Sequence, residues 1–225
     1  MSHRVFISFK KEDRRYKDAI VKRLEEKEIQ VNHLDETIQS DNIDYVMQQI
    51  RDKWQGSTTV TVFLIGEHSS ENEGVDIYGR NHQSFIIREL RSALSDRDGN
   101  PRDGILGVVL PEMEQKVYGG SYKCEHCQQT INVVNIDDST VIREFSKNYY
   151  LKANQCGHYD EDGRFCVLCR YSEFMNDPGK YIDRAYDKTN ESIAKCVTYK
   201  GINHRGNYWL ENVSSIIVNQ QKCYK

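Results

Sequence analysis

Apolar residues follow two rhythms along the first half of this chain, one of period two and one of period 3.6. Val5-Phe6-Ile7-Ser8-Phe9 is a short β-rich run that predicts a buried strand. After Lys11-Glu12-Asp13, the residues Tyr16, Ile20, Val21 and Leu24 recur at helical spacing, and Asp13 is placed to cap that helix by accepting first-turn amides. Ile29 to Leu34 reads as a second strand. Asp35 to Asp41 is a polar loop whose last residue is positioned to cap the next helix. Ile43, Val46, Met47, Ile50 and Trp54 form one stripe of that amphipathic helix. Thr58 to Ile65 is a third strand, apolar and β-branched enough for the middle of a sheet. A polar stretch from Glu67 to His82 precedes a helix over Gln83 to Leu94, and Gly104 to Leu110 is a fourth strand ending at Pro111.

This alternation predicts an α/β fold, a parallel sheet flanked by helices on both faces. Ligands of such folds bind outside the carboxyl ends of the strands, where strand order reverses. Those ends carry Phe9 and Lys10, the loop from Asp35, and Gly66 with the loop beyond it. Lys10-Lys11-Glu12-Asp13 contains no glycine, which disfavours a phosphate cradle of the Rossmann or P-loop kind.

Composition narrows the class further. Of 225 residues, 31 are Lys or Arg and 34 are Asp or Glu, a net charge of −3 that argues against broad electrostatic capture of nucleic acid. The longest apolar run, Val60 to Ile65 with Thr61 inside it, is far short of the ~20 residues that span a bilayer. No secretory h-region is visible near the start, so a soluble cytoplasmic protein with no membrane partner is expected.

Beyond Pro111 the chain changes character. All seven cysteines (Cys124, Cys127, Cys156, Cys166, Cys169, Cys196 and Cys223) follow it, and Tyr and Asn become frequent. That shift divides the chain into a core domain over residues 1–111 and a cysteine-rich α+β extension over 112–225, packed on the core. An odd cysteine count without an export signal disfavours a disulfide framework. Cys124-Glu-His-Cys127 and Cys166-Val-Leu-Cys169 are two Cys-x-x-Cys pairs, each spaced for both thiolates to reach one Zn²⁺, with Cys156 and His158 between them as alternative ligands. Structural zinc and buried free thiols both fit this pattern. A thioredoxin-like redox role does not, because neither pair opens a helix after a strand. Asp177-Pro178 then starts a helix with Ile182, Ala185, Ile193 and Cys196 inward, and Val213 to Val218 is a last apolar patch, either an edge strand or a contact surface.

Three ordered segments carry a family resemblance. Arg4-Val-Phe-Ile-Ser-Phe9 opens the chain, Thr58-Thr-Val-Thr-Val-Phe-Leu-Ile-Gly66 is the third strand, and Ser84-Phe-Ile-Ile-Arg-Glu-Leu90 begins the helix after the polar stretch. Together they resemble TIR domains, specifically the bacterial TIR-like proteins of Thoeris anti-phage defence, over about the first 111 residues. The segment Tyr171 to Ala185 is similar to the trailing part of a bacterial TIR-like subfamily. The resemblance implies a TIR-type, flavodoxin-like sheet. It also implies cleavage of the nicotinamide–ribose bond of NAD⁺ by one glutamate, which falls on Glu89 in Phe85-Ile-Ile-Arg-Glu89, where the family pattern usually has Trp instead of Phe85. The product would be a cyclic or linear ADP-ribose-type signal that activates a separate effector, and a homo-oligomer is expected.

The chemistry suits that position. Nicotinamide departure leaves positive charge on the ribose, which a fixed carboxylate stabilises. The leaving group of NAD⁺ is already cationic, so one carboxylate suffices where ordinary glycosidases need two. With Ile86, Leu90, Ala93 and Leu94 as the buried stripe, Glu89 falls at its edge and Phe85 lies one turn earlier on the same flank. A solvated glutamate paired with Arg88 or Arg91 is the alternative.

By the same resemblance, Phe9 would stack on a base, Lys10 would meet a phosphate and Asp35 would border the substrate. Their plainer readings are a capping aromatic, a solvated lysine and a turn residue. His82, near the helix start, reads as surface decoration or a base. Two functions of different class therefore stand: an NAD⁺-consuming enzyme, and a non-catalytic TIR scaffold that oligomerises through the Asp35–Asp41 loop and the helix beyond it. A receiver-like or nucleotide-binding module of the same topology is weaker, because no acidic cluster closes the first strand.

Overall fold

The computed structural model describes residues 3–32, 56–75, 82–96 and 101–198. Strands β1 (Arg4–Ser8), β2 (Gln30–Asn32), β3 (Val60–Ile65) and β4 (Gly104–Val109) correspond to the four expected from the sequence, with β1 beginning one residue earlier, β3 two residues later and β4 ending one residue sooner. Helices α1 (Arg14–Glu25) and α2 (Ser84–Leu94) match the two amphipathic stripes that fall within the described residues. A short α3 (Glu114–Val117) leads into a hairpin of β5 (Tyr118–Lys123) and β6 (Thr130–Val134). There follow α4 (Arg143–Tyr149), β7 (Val167–Arg170), α5 (Tyr171–Asn176) and α6 (Pro178–Asp187). The helix expected over Ile43–Trp54, the Asp35–Asp41 loop and the Val213–Val218 patch lie outside the described residues.

Five strands form one parallel sheet in the order β2-β1-β3-β4-β7. Side chains alternate between the two faces of a strand, so each strand feeds two cores. On one face Val5, Ile7, Val60, Val62, Leu64, Leu106 and Val108 pack against Ile20 and Leu24 of α1 and Ile182 and Ala185 of α6. On the other, Phe63, Ile65, Ile105 and Val109 pack against Ile86, Leu90, Ala93 and Leu94 of α2 and Phe145 and Tyr149 of α4. All six residues of β3 and of β4 are buried, as strands covered on both faces require. At about 1.5–3 kcal/mol for each fully buried large aliphatic or aromatic side chain, these two layers are the main source of stability.

Thr61 is the polar exception within β3. Its hydroxyl donates to Asp103 Oδ2 at 2.7 Å, and Thr58 donates to the same oxygen at 3.0 Å. Burial nevertheless pushes the Asp103 carboxyl up to about 7, against the pull of both hydroxyls.

The compositional boundary at Pro111 does not separate two units of the sheet. β7 comes from the cysteine-rich half and pairs with β4 from Leu106↔Val167 to Val109↔Arg170, while Phe145, Phe165 and Phe174 of that half are fully buried in the two cores. Tyrosine- and asparagine-rich composition hid this, because the four-residue β7 is too short to show a periodic pattern.

Candidate active site at the end of the first strand

Parallel order 2-1-3-4-7 reverses direction between β1 and β3, and a ligand cleft is expected beyond the carboxyl ends of that pair. Ser8 is the last residue of β1 and projects toward the α2 face, two positions on from Phe6. Its hydroxyl donates to Glu89 Oε2 at 2.6 Å. Glu89 therefore sits at the switch point. It stands beside the buried stripe Ile86, Leu90, Ala93 and Leu94, as the helical geometry of the sequence places it. The residue keeps part of its surface open, but its carboxyl is walled in. Burial raises that group to about 7, and the Ser8 hydroxyl acts in the opposite direction by favouring the charged form. Arg91, one of the two expected surface partners, instead donates from Nε to Glu144 at 2.7 Å.

The surrounding loops are tied together. Lys10 Nζ donates to the carbonyl of His82 at 3.0 Å and to Gln83 Oε1 at 3.2 Å, and Gln83 Nε2 donates to the carbonyls of His68 and Ser70 at 2.8 and 2.5 Å. Gly66 N–H donates to Ser69 Oγ, which in turn donates to the Leu64 carbonyl. Thus the ends of β1 and β3 and the start of α2 form one hydrogen-bonded rim, which fixes the approach to Glu89.

The other expected site residues divide. Phe85 lies one turn before Glu89 and is 48% exposed, so its ring is open to solvent. Lys10 is half-buried, and its ammonium brackets β1 to the start of α2 where a phosphate contact was expected. Phe9 is on the other face from Glu89: it packs against the α1-side core, under the Lys17 ammonium 5.5 Å from its ring centre. Strand alternation explains this, since Ser8 and Phe9 must point to opposite faces. His82 is exposed and contributes its carbonyl to Lys10. Asp35 lies outside the described residues.

Of two further groups at this rim, the sequence gives Ser8 no role and Asp13 only that of a helix cap. Ser8 reads there as one more residue of an apolar strand, although a lone hydroxyl at the strand's end was the available signal. Asp13 does occupy the N-cap position of α1, but its side chain makes no capping hydrogen bond. It is 4% exposed, its Oδ2 is buried without a partner, and it lies where a side chain on Gly66 would stand. A Cβ at Gly66 would come within 2.4 Å of Asp13 Oδ2, so the glycine after β3 is required by this carboxyl. Burial, reinforced by the Glu112 carboxylate, raises Asp13 to about 6.

The thiols are arranged differently from the expected set of Cys124, Cys127, Cys166 and Cys169. Cys166 immediately precedes β7 and Cys169 lies within it, and their odd spacing sends them to opposite faces. Cys166 is in the α2-side core and Cys169 in the α1-side core, where burial pushes both thiols up. Cys124 and Cys127 instead meet Cys156 and His158, the alternative ligands, with all four donor atoms within 4.8 Å of one another.

Among the described residues, no helix is long and apolar enough to cross a membrane. No curated protein matches the sequence. The family model of the TIR domain matches residues 5–144, from β1 into α4, and so takes in Ser8, Gly66 and Glu89. With that match covering well over half of its length, and with a five-stranded parallel sheet flanked by helices, the chain belongs to the TIR domain family.

Proposed function

We propose that this chain is an NAD⁺-consuming enzyme in which the Glu89 carboxylate assists rupture of the nicotinamide–ribose bond. TIR domains include NAD⁺-cleaving members and scaffolds. The observation that favours the enzyme here is the Ser8–Glu89 pair: a walled-in carboxylate held by a hydroxyl at the strand-order switch point, with an exposed aromatic residue one helical turn earlier.

With its carboxyl near 7, Glu89 is divided between its two protonation states at neutral pH. A cationic nicotinamide ring brought next to it favours the charged form, so substrate binding itself ionises the group. Phe85 offers a face for that ring. The C–N bond then breaks with its electron pair leaving on the nicotinamide nitrogen, and the carboxylate stabilises the ribosyl cation. Water captures the cation to give ADP-ribose and a proton, whereas a hydroxyl or adenine nitrogen of the same molecule gives a cyclic product. We favour the cyclic, signal-type product acting on a separate effector in cytoplasmic antiviral defence, following the resemblance to Thoeris TIR proteins.

The test is incubation of the purified protein and its Glu89→Gln variant with NAD⁺, alone and with lysate from phage-infected cells, following nicotinamide and adenine-containing products by chromatography. Glu89-dependent nicotinamide release supports the proposal, and the second product separates cyclase from hydrolase. Absence of release in both settings, with the protein still self-associating, would leave the scaffold reading in its place.

A further inference from the structure

The β5–β6 hairpin poses a structural problem of its own. Five of the six residues of β5 are exposed, β6 is at most half-buried, and the two strands pair only with each other. A two-stranded hairpin with so little apolar burial is marginal in water. Its turn, however, carries two cysteines at the place where a second loop approaches.

We propose that Cys124, Cys127, Cys156 and His158 form a structural Zn²⁺ site that staples the β5–β6 hairpin to the 154–160 loop. The four donor atoms all lie within 4.8 Å of one another. Tetrahedral ligands at about 2.3 Å from a metal stand roughly 3.8 Å apart, so small side-chain rotations complete the shell. Three sulfurs and one imidazole are the donor set of a closed structural zinc site, with no position left for a reacting water.

The imidazole supplies an independent observation. His158 is 9% exposed, and its Nε2 is buried without a hydrogen-bond partner. An orphaned ring nitrogen costs free energy unless something occupies its lone pair. The other nitrogen, Nδ1, is 3.2 Å from the Tyr122 hydroxyl of β5. With Nδ1–H donating to that oxygen, the tautomer is set and the Nε2 lone pair is free for a metal, the usual outer-shell arrangement of a metal-binding histidine.

Both loops have the backbone geometry for this. In the hairpin turn, Cys124 N–H donates to the Gln129 carbonyl and Gln128 N–H to the Cys124 carbonyl, both at 2.9 Å, with Gln128 in the left-handed region at φ +59°. In the second loop, Asn154 Oδ1 accepts the N–H groups of Cys156 and His158 at 2.9 and 3.0 Å, and Gly157 between them has φ +80°. Asn154 thus aims Cys156 and His158 at the hairpin before any metal arrives. On binding, three S–H protons leave to solvent as three Zn–S bonds and one Zn–N bond form, and no electron is transferred.

This proposal is independent of NAD⁺ chemistry, and so is its test. The full chain, purified without chelator, is assayed for metal, then exchanged with Co²⁺ and its absorption recorded. One zinc per chain is expected, and the cobalt form should show intense thiolate charge-transfer bands with the visible bands of a tetrahedral ion. Cys127→Ser should lose the metal, while Cys169→Ala, checked for folding by circular dichroism, should keep it. Chelation should speed proteolysis within residues 118–134. A chain that takes up neither zinc nor cobalt, a cobalt spectrum without thiolate bands, or full metal retention by Cys127→Ser would each overturn the site. The cobalt spectrum of the unaltered chain decides the matter even if Cys127→Ser fails to fold.

Discussion

Ser8 and Glu89 are 81 positions apart in the chain, yet the Ser8 hydroxyl donates to the Glu89 carboxylate at 2.6 Å. The contact joins the end of the first strand to the helix after the third, across the point where strand order reverses. It also opposes the effect of burial on the carboxyl, which otherwise favours the neutral form.

Ser8→Ala therefore raises the Glu89 pKa further. If the carboxylate is the working form, the acidic limb of the kcat/KM profile for nicotinamide release should move upward by roughly one pH unit. The rate at high pH should fall far less than the rate at pH 6. A uniform loss across the profile would mean that Ser8 serves only packing.

Glu89→Gln should abolish nicotinamide release, by about 10²-fold or more, without lowering thermal stability at pH 8. Burial disfavours the ionised carboxylate in the folded state, and a neutral amide of the same shape removes that cost while still accepting from Ser8. Melting curves at pH 8 check this, and a marked drop in Tm would show a structural role for the charge.

Asp103 allows a separate test, remote from the site chemistry. Its folded pKa of about 7 lies above the ordinary value of 3.8, so between those limits the folded state binds more protons than the unfolded one. Stability from this group is then full below about pH 4, falls as pH rises, and is lost above about 7. Asp103→Asn should flatten this slope and raise stability at pH 8 by on the order of 2–4 kcal/mol, read from urea unfolding at pH 5 and pH 8.

Gly66→Ala should destabilise by about 1–3 kcal/mol, because its Cβ would enter the space of the Asp13 carboxyl. Combining it with Asp13→Ala should recover much of that loss, since the obstructing group is then gone. Equilibrium unfolding of the two single variants and the double variant measures the coupling. Additive effects would show that Asp13 is not what the glycine accommodates.

Much of the architecture was legible because its signals are periodic. β3 and α2 extend over enough residues for burial on two faces, or on one stripe, to leave a clear pattern, and Glu89 could be placed on its helix edge from that stripe alone. Alternation within β1 likewise separates Phe9 from Ser8, so neighbours in sequence serve opposite faces of the sheet. Spacing was less informative for the thiols. Cys-x-x-Cys brings two sulfurs together in a turn, as at Cys124 and Cys127, and separates them where the chain enters a strand, as at Cys166 and Cys169. Which case applied depended on the short β7, whose four residues leave no pattern to read. Asp13 and Ser8 were hidden for another reason: their importance comes from partners distant in sequence, Gly66 and Glu89.

The late arrival of β7 bears on how the molecule is made. Leu106 to Val109 forms the apolar edge of the parallel sheet until Val167 has been synthesised to pair with it. A nascent chain that has reached only residue 144, the end of the family match, carries Ser8, Gly66 and Glu89 but leaves that edge bare. Bare parallel edges template association with other chains. A fragment cut there to isolate the segment that carries Glu89 is thus expected to aggregate, and soluble expression should require the sequence through at least α6, whose Ile182 and Ala185 cover the same strands.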